Sequence, residues 1–349
     1  SFTLSGKALA RDANEFLSIL ADLSASPRFD QKHLKNLLGQ RRAGFEASVV
    51  ASGHMFAHLQ AASQLSGRDR LRQRQGGLDH LQVLKTLAAL NDQELDALMG
   101  ELTAMTAKLF GSSGLRVCLT AEDAALGGIA RQVEESLLTA SAYPSVTVSH
   151  QPLTAPQGHG QARTTAVPVA YDARVARTVP YTHPDAPALL VLAQLASSKF
   201  IHREVREKGG AYGGFALADA ESGLFGFVSY RDPNIARTFQ VFSEAAGWVL
   251  SGAPDDEQIR EAILSACASV DPLLSPDTKG RVRFLSESAG YTLARRQAFK
   301  AALLSTTRAD LERVTSYLTG PAAFAVVSSD EKVREANAEM NGFFEATPI

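Results

Sequence analysis

Cysteine is scarce: Cys118 and Cys267 are the only two in 349 residues, too few for a disulfide-stapled scaffold and not spaced as metal ligands. Neither sign of charge dominates. Lys and Arg number 35 against 37 Asp and Glu, a net charge of -2 that offers a polyanion such as nucleic acid no electrostatic hold. No apolar run approaches the roughly 18–20 residues that a bilayer-spanning helix needs, so no membrane association is expected. Ser1-Phe2-Thr3-Leu4 has neither an initiator methionine nor the regions of a signal peptide; the chain reads as a fragment and its compartment stays unknown. Hydrolase and nucleotide signatures are missing too. None of the histidines at 33, 54, 58, 80, 150, 159, 183 and 202 stands in H-E-x-x-H or its inversion H-x-x-E-H, and no G-x-S-x-G occurs. Lys208 precedes the glycines of the Gly-rich stretch instead of following them, unlike a P-loop. A self-contained zinc hydrolase and a phosphate cradle are both disfavoured.

What is present is the composition of a packed globular protein, 45% hydrophobic and 21% charged, with length enough for two domains. Ala10, Ala13, Phe16, Leu17 and Leu20 recur at helical spacing up to Ser26-Pro27, and Leu34, Leu37, Leu38, Phe45 and Val49 continue in a long second helix. Asn91 followed by Glu94 forms a capping-box signature for a helix through Leu95, Leu98, Leu102 and Met105. Residues 115–119 read as a short buried strand, and Ile129, Val133 and Leu137 mark another helix. The stretch 149–164, rich in proline, glycine and polar residues, reads as a linker. The expected organisation is therefore a helix-rich first domain over 1–150, a linker over 151–163 and an α/β domain over 164–349. Within the last, 165–173 reads as a strand, 187–201 as a helix buried against a sheet, and 213–218 with 223–230 as a hairpin. Helices over 239–250, 257–269, 293–304 and 309–318, a strand over 322–327 and a helix capped by Ser328 and Glu331 complete an α+β, layered helix-on-sheet order.

The most distinctive stretch is Ile201-His202-Arg203-Glu204-Val205-Arg206-Glu207-Lys208-Gly209-Gly210-Ala211-Tyr212-Gly213-Gly214. A helix running into paired glycines ends there by a left-handed cap, and Tyr212 then opens the next strand. Arg206 and Tyr212 flank that corner. The arginine can donate to carbonyl oxygens and the phenol to a developing oxyanion, while Gly209, Gly210 and Ala211 let a peptide backbone come close. A glycine-rich turn with a surface arginine and a half-buried tyrosine would use the same residues. His54 and His58 have zincin spacing, but Met55 and Phe56 occupy the intervening positions and packed or surface histidines are expected. Arg68, Arg70, Arg72 and Arg74 read as a solvated loop. Cys118 and Cys267 read as buried small hydrophobes in a strand and a helix. In Tyr230-Arg231-Asp232-Pro233-Asn234 the expectation is Asp232 or Asn234 as a helix cap and Arg231 as a structural ion-pair partner.

With HREVREKGGAYGG, VSYRDPN downstream, and FDQKHLKNLLGQ, SGHMFAHLQAAS and GGLDHLQVLKTLA upstream, the chain resembles the C-terminal half of the pitrilysin/insulinase metallopeptidases, in the presequence-protease branch. The likeness runs from about Leu4 to Val327. It implies two related layered helix-on-sheet domains, the third and fourth of four, the third incomplete at its start, in a protein whose halves close around a peptide-holding chamber. It implies that the N-terminal half of the same polypeptide is the partner and holds zinc through H-x-x-E-H and a distal Glu, while this chain holds no metal or cofactor. The missing zinc motif is what the family pattern predicts for a C-terminal half. Arg206 and Tyr212 are then the catalytic pair from this side, and Arg206 with Gly209, Gly210, Ala211 and Tyr212 the surface for a short unstructured peptide. The isolated chain is not expected to cleave peptides. A catalytically silent scaffold or peptide-binding subunit is the alternative, and retention of both Arg206 and Tyr212 argues against it.

Overall fold

The computed structural model describes residues 3–25, 27–109, 115–138 and 160–349. Its helices begin with α1 (Ala13–Ala25), α2 (Gln31–Ser63), α3 (Gly67–Gly76), α4 (Leu78–Ala88), α5 (Asp92–Leu109) and α6 (Asp123–Val133). Strands β1 (Gly160–Thr164) and β2 (Tyr171–Arg177) follow, then α7 (Ala186–Ala196), a wider π-type segment (Ser197–Lys208), β3 (Gly213–Asp219) and β4 (Leu224–Tyr230). The remainder is α8 (Ala236–Leu250), α9 (Asp256–Val270), α10 (Pro276–Ser288), α11 (Leu293–Leu304), α12 (Arg308–Val314), β5 (Ala322–Ser328), α13 (Asp330–Glu339) and β6 (Phe344–Pro348). No helix among the described residues is long and apolar enough to cross a membrane.

Two compact units result, each built from separated stretches: Ser1–Arg41, Thr86–Gln151 and Leu273–Thr292 in one, Arg42–Lys85, Pro152–Pro272 and Leu293–Ile349 in the other. The first has helices and no strand among its described residues. Its α5 carries the expected capping box, with the Glu94 N–H donating to Asn91 Oδ1 at 3.0 Å and the Asn91 N–H to Glu94 Oε2 at 2.8 Å. The strand expected over 115–119 does not form, and Cys118 is exposed. Arg116 and Cys118 alternate with apolar neighbours there, but all six described strands pair in the other unit's sheet, so the segment has no ladder to join.

That sheet runs β3-β4-β2-β5-β1-β6, with β1 parallel to β5 and β6 and the other pairs antiparallel. Both faces are covered, which is why β2 and β4 are buried nearly end to end. On one face Phe225 and Phe227 pack with Leu192, Ile201, Phe239 and Phe242; Phe227 stacks on Phe242 at 5.5 Å. On the other, Tyr171, Val175 and Val228 pack with Val49, Ala57, Ala61, Leu78 and Leu81 of α2 and α4. Burying each such side chain stabilises by about 1.5–3 kcal/mol. This apolar face is why residues 42–85, expected in a contiguous first domain, group with the sheet instead.

Of the expected linker, 151–159 lie outside the described residues and 160–163 belong to β1, whose pairing with β5 and β6 is fixed by partners more than 150 residues away. The strand expected over 165–173 begins only at Tyr171, because Pro168 has no N–H to give a ladder. The arginine run is helical, not a loop: Ser66 caps α3 by accepting from the Asp69 N–H. Ser328 ends β5, and the cap of α13 is Ser329. Cys267 lies half-buried in α9.

Candidate functional site

The π-type segment is the lever of the corner. It ends at Gly209, and Gly210 takes a left-handed φ of +79°. The Gly210 N–H donates to the Arg206 carbonyl at 3.0 Å and the Ala211 N–H to the Val205 carbonyl at 3.1 Å, so the last carbonyls are satisfied by the cap that glycine permits. β3 then returns beneath the same segment. A Cβ on Gly214 would come within 2.7 Å of Ile201 Cγ2 and 3.1 Å of Val205 Cγ1, so strand and helix touch only because that position has no side chain. Although β3 is a sheet edge, Ser197 Oγ accepts from the Ala216 N–H at 2.7 Å and donates to its carbonyl at 3.1 Å, blocking edge pairing there.

Arg206 and Tyr212 are brought together as the motif predicts. The Arg206 guanidinium lies 5.9 Å from the Tyr212 ring centroid, a cation-π distance. Its Nη1 is 3.1 Å from His202 Nε2, and His202 Nδ1 is 3.3 Å from Glu207 Oε1. Tyr212 is 67% exposed, with its ring edge-on to Tyr230 at 5.6 Å. Its hydroxyl has no hydrogen-bond partner among the described residues. Gly209 and Gly210 form the bend, whereas Ala211 is buried and its N–H is committed, so it shapes the corner and presents no side chain to a ligand.

The second wall, the turn after β4, was not legible as a partner of this corner. Asn234 Nδ2 donates to the Gly209 carbonyl at 2.7 Å, and the Tyr212 N–H donates to the Arg231 carbonyl at 3.3 Å. Asn234 thus ties the glycines down and does not cap α8, whose N-cap is Ile235. Asp232 does not cap it either; its Oδ1 accepts from the Asn234 N–H at 2.9 Å and its Oδ2 from the Thr238 hydroxyl at 2.7 Å. Arg231 is not an ion-pair residue: it stacks over the Tyr230 ring at 5.3 Å.

Beneath this turn lies a buried acid pair. Complete burial, then the charge of Asp232, pushes the Asp172 carboxyl well above the usual carboxylate range; burial also raises Asp232. Ser229 Oγ donates to Asp172 Oδ2 at 2.6 Å, and Asp172 Oδ1 is buried without a partner. Asp172 therefore binds its proton more tightly folded than unfolded. Its contribution to stability is full below the unfolded value of about 4 and is lost as pH rises through the raised folded value. Asp172→Asn keeps the shape and removes the ionisation, so its melting temperature should gain on the wild type more at pH 8 than at pH 5. An equal shift at both pH values in thermal melts would show that Asp172 is not the group responsible.

His54 and His58 are packed. The His54 ring stands edge-on to Tyr230 at 4.9 Å, and the His58 ring lies so close to Gly226 that a Cβ there would meet it at 2.7 Å. Burial lowers the basicity of both. Among the described residues no group of three or more His, Cys, Asp or Glu could hold a metal ion, so the side chains present do not fit a zinc site.

Two family models match the chain, one described as the PreP C-terminal domain over residues 182–321 and one as a peptidase-associated domain of M16 subfamily C over residues 1–87. The mitochondrial presequence protease of Xenopus laevis is 29% identical over 341 residues, covering 89% of this chain. That of Yarrowia lipolytica is 30% identical over 334 residues and 94% of the chain. The chain belongs to the presequence-protease branch of the pitrilysin family. It spans about a third of the length of these relatives, 33% of each. A presequence protease 1, chloroplastic/mitochondrial, from Arabidopsis thaliana is 27% identical, covering 97% of the chain and 32% of its own length. Solved structures share the fold. A peptidase M16 inactive domain from Pseudomonas fluorescens superposes with a TM-score of 0.63 at 16% identity, over 90% of this chain and 74% of that one. A conserved protein from Enterococcus faecalis gives 0.62 at 14%, over 94% and 76%. Within the presequence-protease branch, the segment from 182 to 321 covered by the C-terminal model contains Arg206, Tyr212 and Arg231.

Proposed function

We propose that this chain is the C-terminal, non-zinc-binding half of a zinc-dependent endopeptidase that degrades short unstructured peptides in a closed chamber, with Arg206 binding substrate and Tyr212 stabilising the oxyanion. The observation that carries this reading is the pairing itself: a largely exposed phenol with an uncommitted hydroxyl, beside a guanidinium, on a corner locked by Gly210 and Gly214. A silent scaffold would have no use for that pair. The metal, held elsewhere in the polypeptide, would supply the Lewis acid and the activated water.

The residues of this chain do the rest. Arg206 donates to a backbone carbonyl of the peptide, and its contact with the Tyr212 ring narrows the conformations it must give up on binding. Tyr212 donates to the carbonyl oxygen as negative charge grows on it, an interaction that strengthens toward the transition state. Gly209 and Gly210 leave room for an extended backbone. Alone, the chain should hydrolyse no fluorogenic peptide; combined with its N-terminal half it should do so, and a zinc chelator should abolish the activity. Robust chelator-insensitive turnover by the isolated chain would refute the proposal.

A further inference from the structure

The turn after β4 carries a second guanidinium whose placement turn chemistry does not explain. Arg231 has φ +49°, a left-handed conformation that side chains other than Asn, Asp and Gly seldom adopt. The turn imposes it: the Arg231 carbonyl accepts from the Tyr212 N–H, and Asp232 exchanges two backbone hydrogen bonds of 2.8 Å with Ala170. Glycine or asparagine would satisfy that backbone at lower cost, so the arginine side chain needs another reason to be there.

Its surroundings supply one. The side chain is exposed, with the guanidinium 5.3 Å from the Tyr230 ring centroid and beside the Tyr171 hydroxyl. Tyr230 meets Tyr212 edge-on at 5.6 Å, and Tyr212 carries Arg206 at 5.9 Å. The order is cation, ring, ring, cation. Among the described residues neither arginine is paired with a carboxylate, whereas nearby Lys208 and Arg203 both pair with Glu204. Stacking occupies the face of a guanidinium and leaves its N–H edge to bind, and that fork matches a carboxylate in a bidentate way.

We propose that Arg231 is a specificity-determining residue that binds a carboxylate of the bound peptide, an acidic side chain or the free C-terminus, alongside the segment held by Arg206 and Tyr212. The assignment rests on the peptidase reading above.

The test uses the polypeptide that unites this chain with its N-terminal half and two matched sets of quenched fluorescent peptides. One set differs by Glu against Gln near the cleaved bond, the other by a free against an amidated C-terminus. In the wild type, KM should favour the carboxylate member of one set by about tenfold, the size of one charge-assisted hydrogen bond. The set that responds identifies the source of the carboxylate. The preference should shrink as salt rises, because the site is exposed. In Arg231→Asn, which suits the left-handed backbone and should melt no lower than the wild type, the ratio should fall to near one; Arg231→Lys should keep part of it. Should the Asn variant melt lower, Arg231→Gly, which accepts the same φ, is read in its place. A folded Asn or Gly variant that keeps the wild-type ratio overturns the assignment, as does a wild type without preference in either set. A wild type that cleaves none of the peptides overturns the peptidase reading and the assignment with it.

Discussion

Tyr212→Phe in the polypeptide that includes the zinc-binding half should lower kcat by about 10²–10³ and leave KM within a few-fold, the loss expected when a single oxyanion donor is removed. The ring stays, and with it the 5.9 Å contact to Arg206 and the edge-on contact to Tyr230 at 5.6 Å. Because the hydroxyl has no protein partner among the described residues, its removal strands no buried group and should not change the melting temperature. Arg206→Ala should behave differently, raising KM as well, since a clamp on the peptide backbone acts in ground state and transition state alike. Steady-state kinetics and thermal melts on both variants separate the roles. A Tyr212→Phe enzyme with unchanged kcat would remove the oxyanion assignment, and one with a lowered melting temperature and unchanged kcat would make Tyr212 a structural residue.

The corner was legible in the sequence because its determinants are local. Paired glycines after a helical period specify the cap, and the hairpin and the Asn91–Glu94 box are equally short-range. What escaped depends on partners far along the chain. β1 is Gly-Gln-Ala-Arg-Thr, a polar string with one buried aliphatic side chain, Ala162, and it becomes a strand only because β5 and β6 flank it. The arginine run misled through its charge. Ser66 and Asp69 form a capping signature that was there to be read, and Arg68 and Arg72, one helical turn apart, both reach Asp219, while Arg68 also pairs with Glu221. Asn234 and Arg231 stand in a motif that could be quoted, but nothing in its spacing says that one ties down Gly209 and the other stacks on Tyr230. A positive φ at an arginine has no sequence signature at all.

Gly214→Ala tests whether the close approach of β3 to the π-type segment sets the site. The added Cβ would stand 2.7 Å from Ile201 Cγ2 and 3.1 Å from Val205 Cγ1. Both side chains are buried, at 0% and 1% exposure, so neither can swing away and the segment must lift from the strand. Overpacking of this kind costs about 1–3 kcal/mol, which for a domain of this size lowers the melting temperature by about 2–12 °C. The carbonyl of Val205 holds the Ala211 N–H and that of Arg206 holds the Gly210 N–H, so the displacement passes directly to the corner, and kcat/KM should fall together with stability. Gly213→Ala is the matched comparison. Its Cβ would meet only the Phe215 ring, at 3.2 Å, and that residue is 44% exposed and free to turn; the change should stay within about 0.5 kcal/mol. If the two alanine variants melt alike and retain equal kcat/KM, the helix-on-strand contact at Gly214 is not what positions Arg206 against Tyr212, and the left-handed cap at Gly210 must hold the pair by itself.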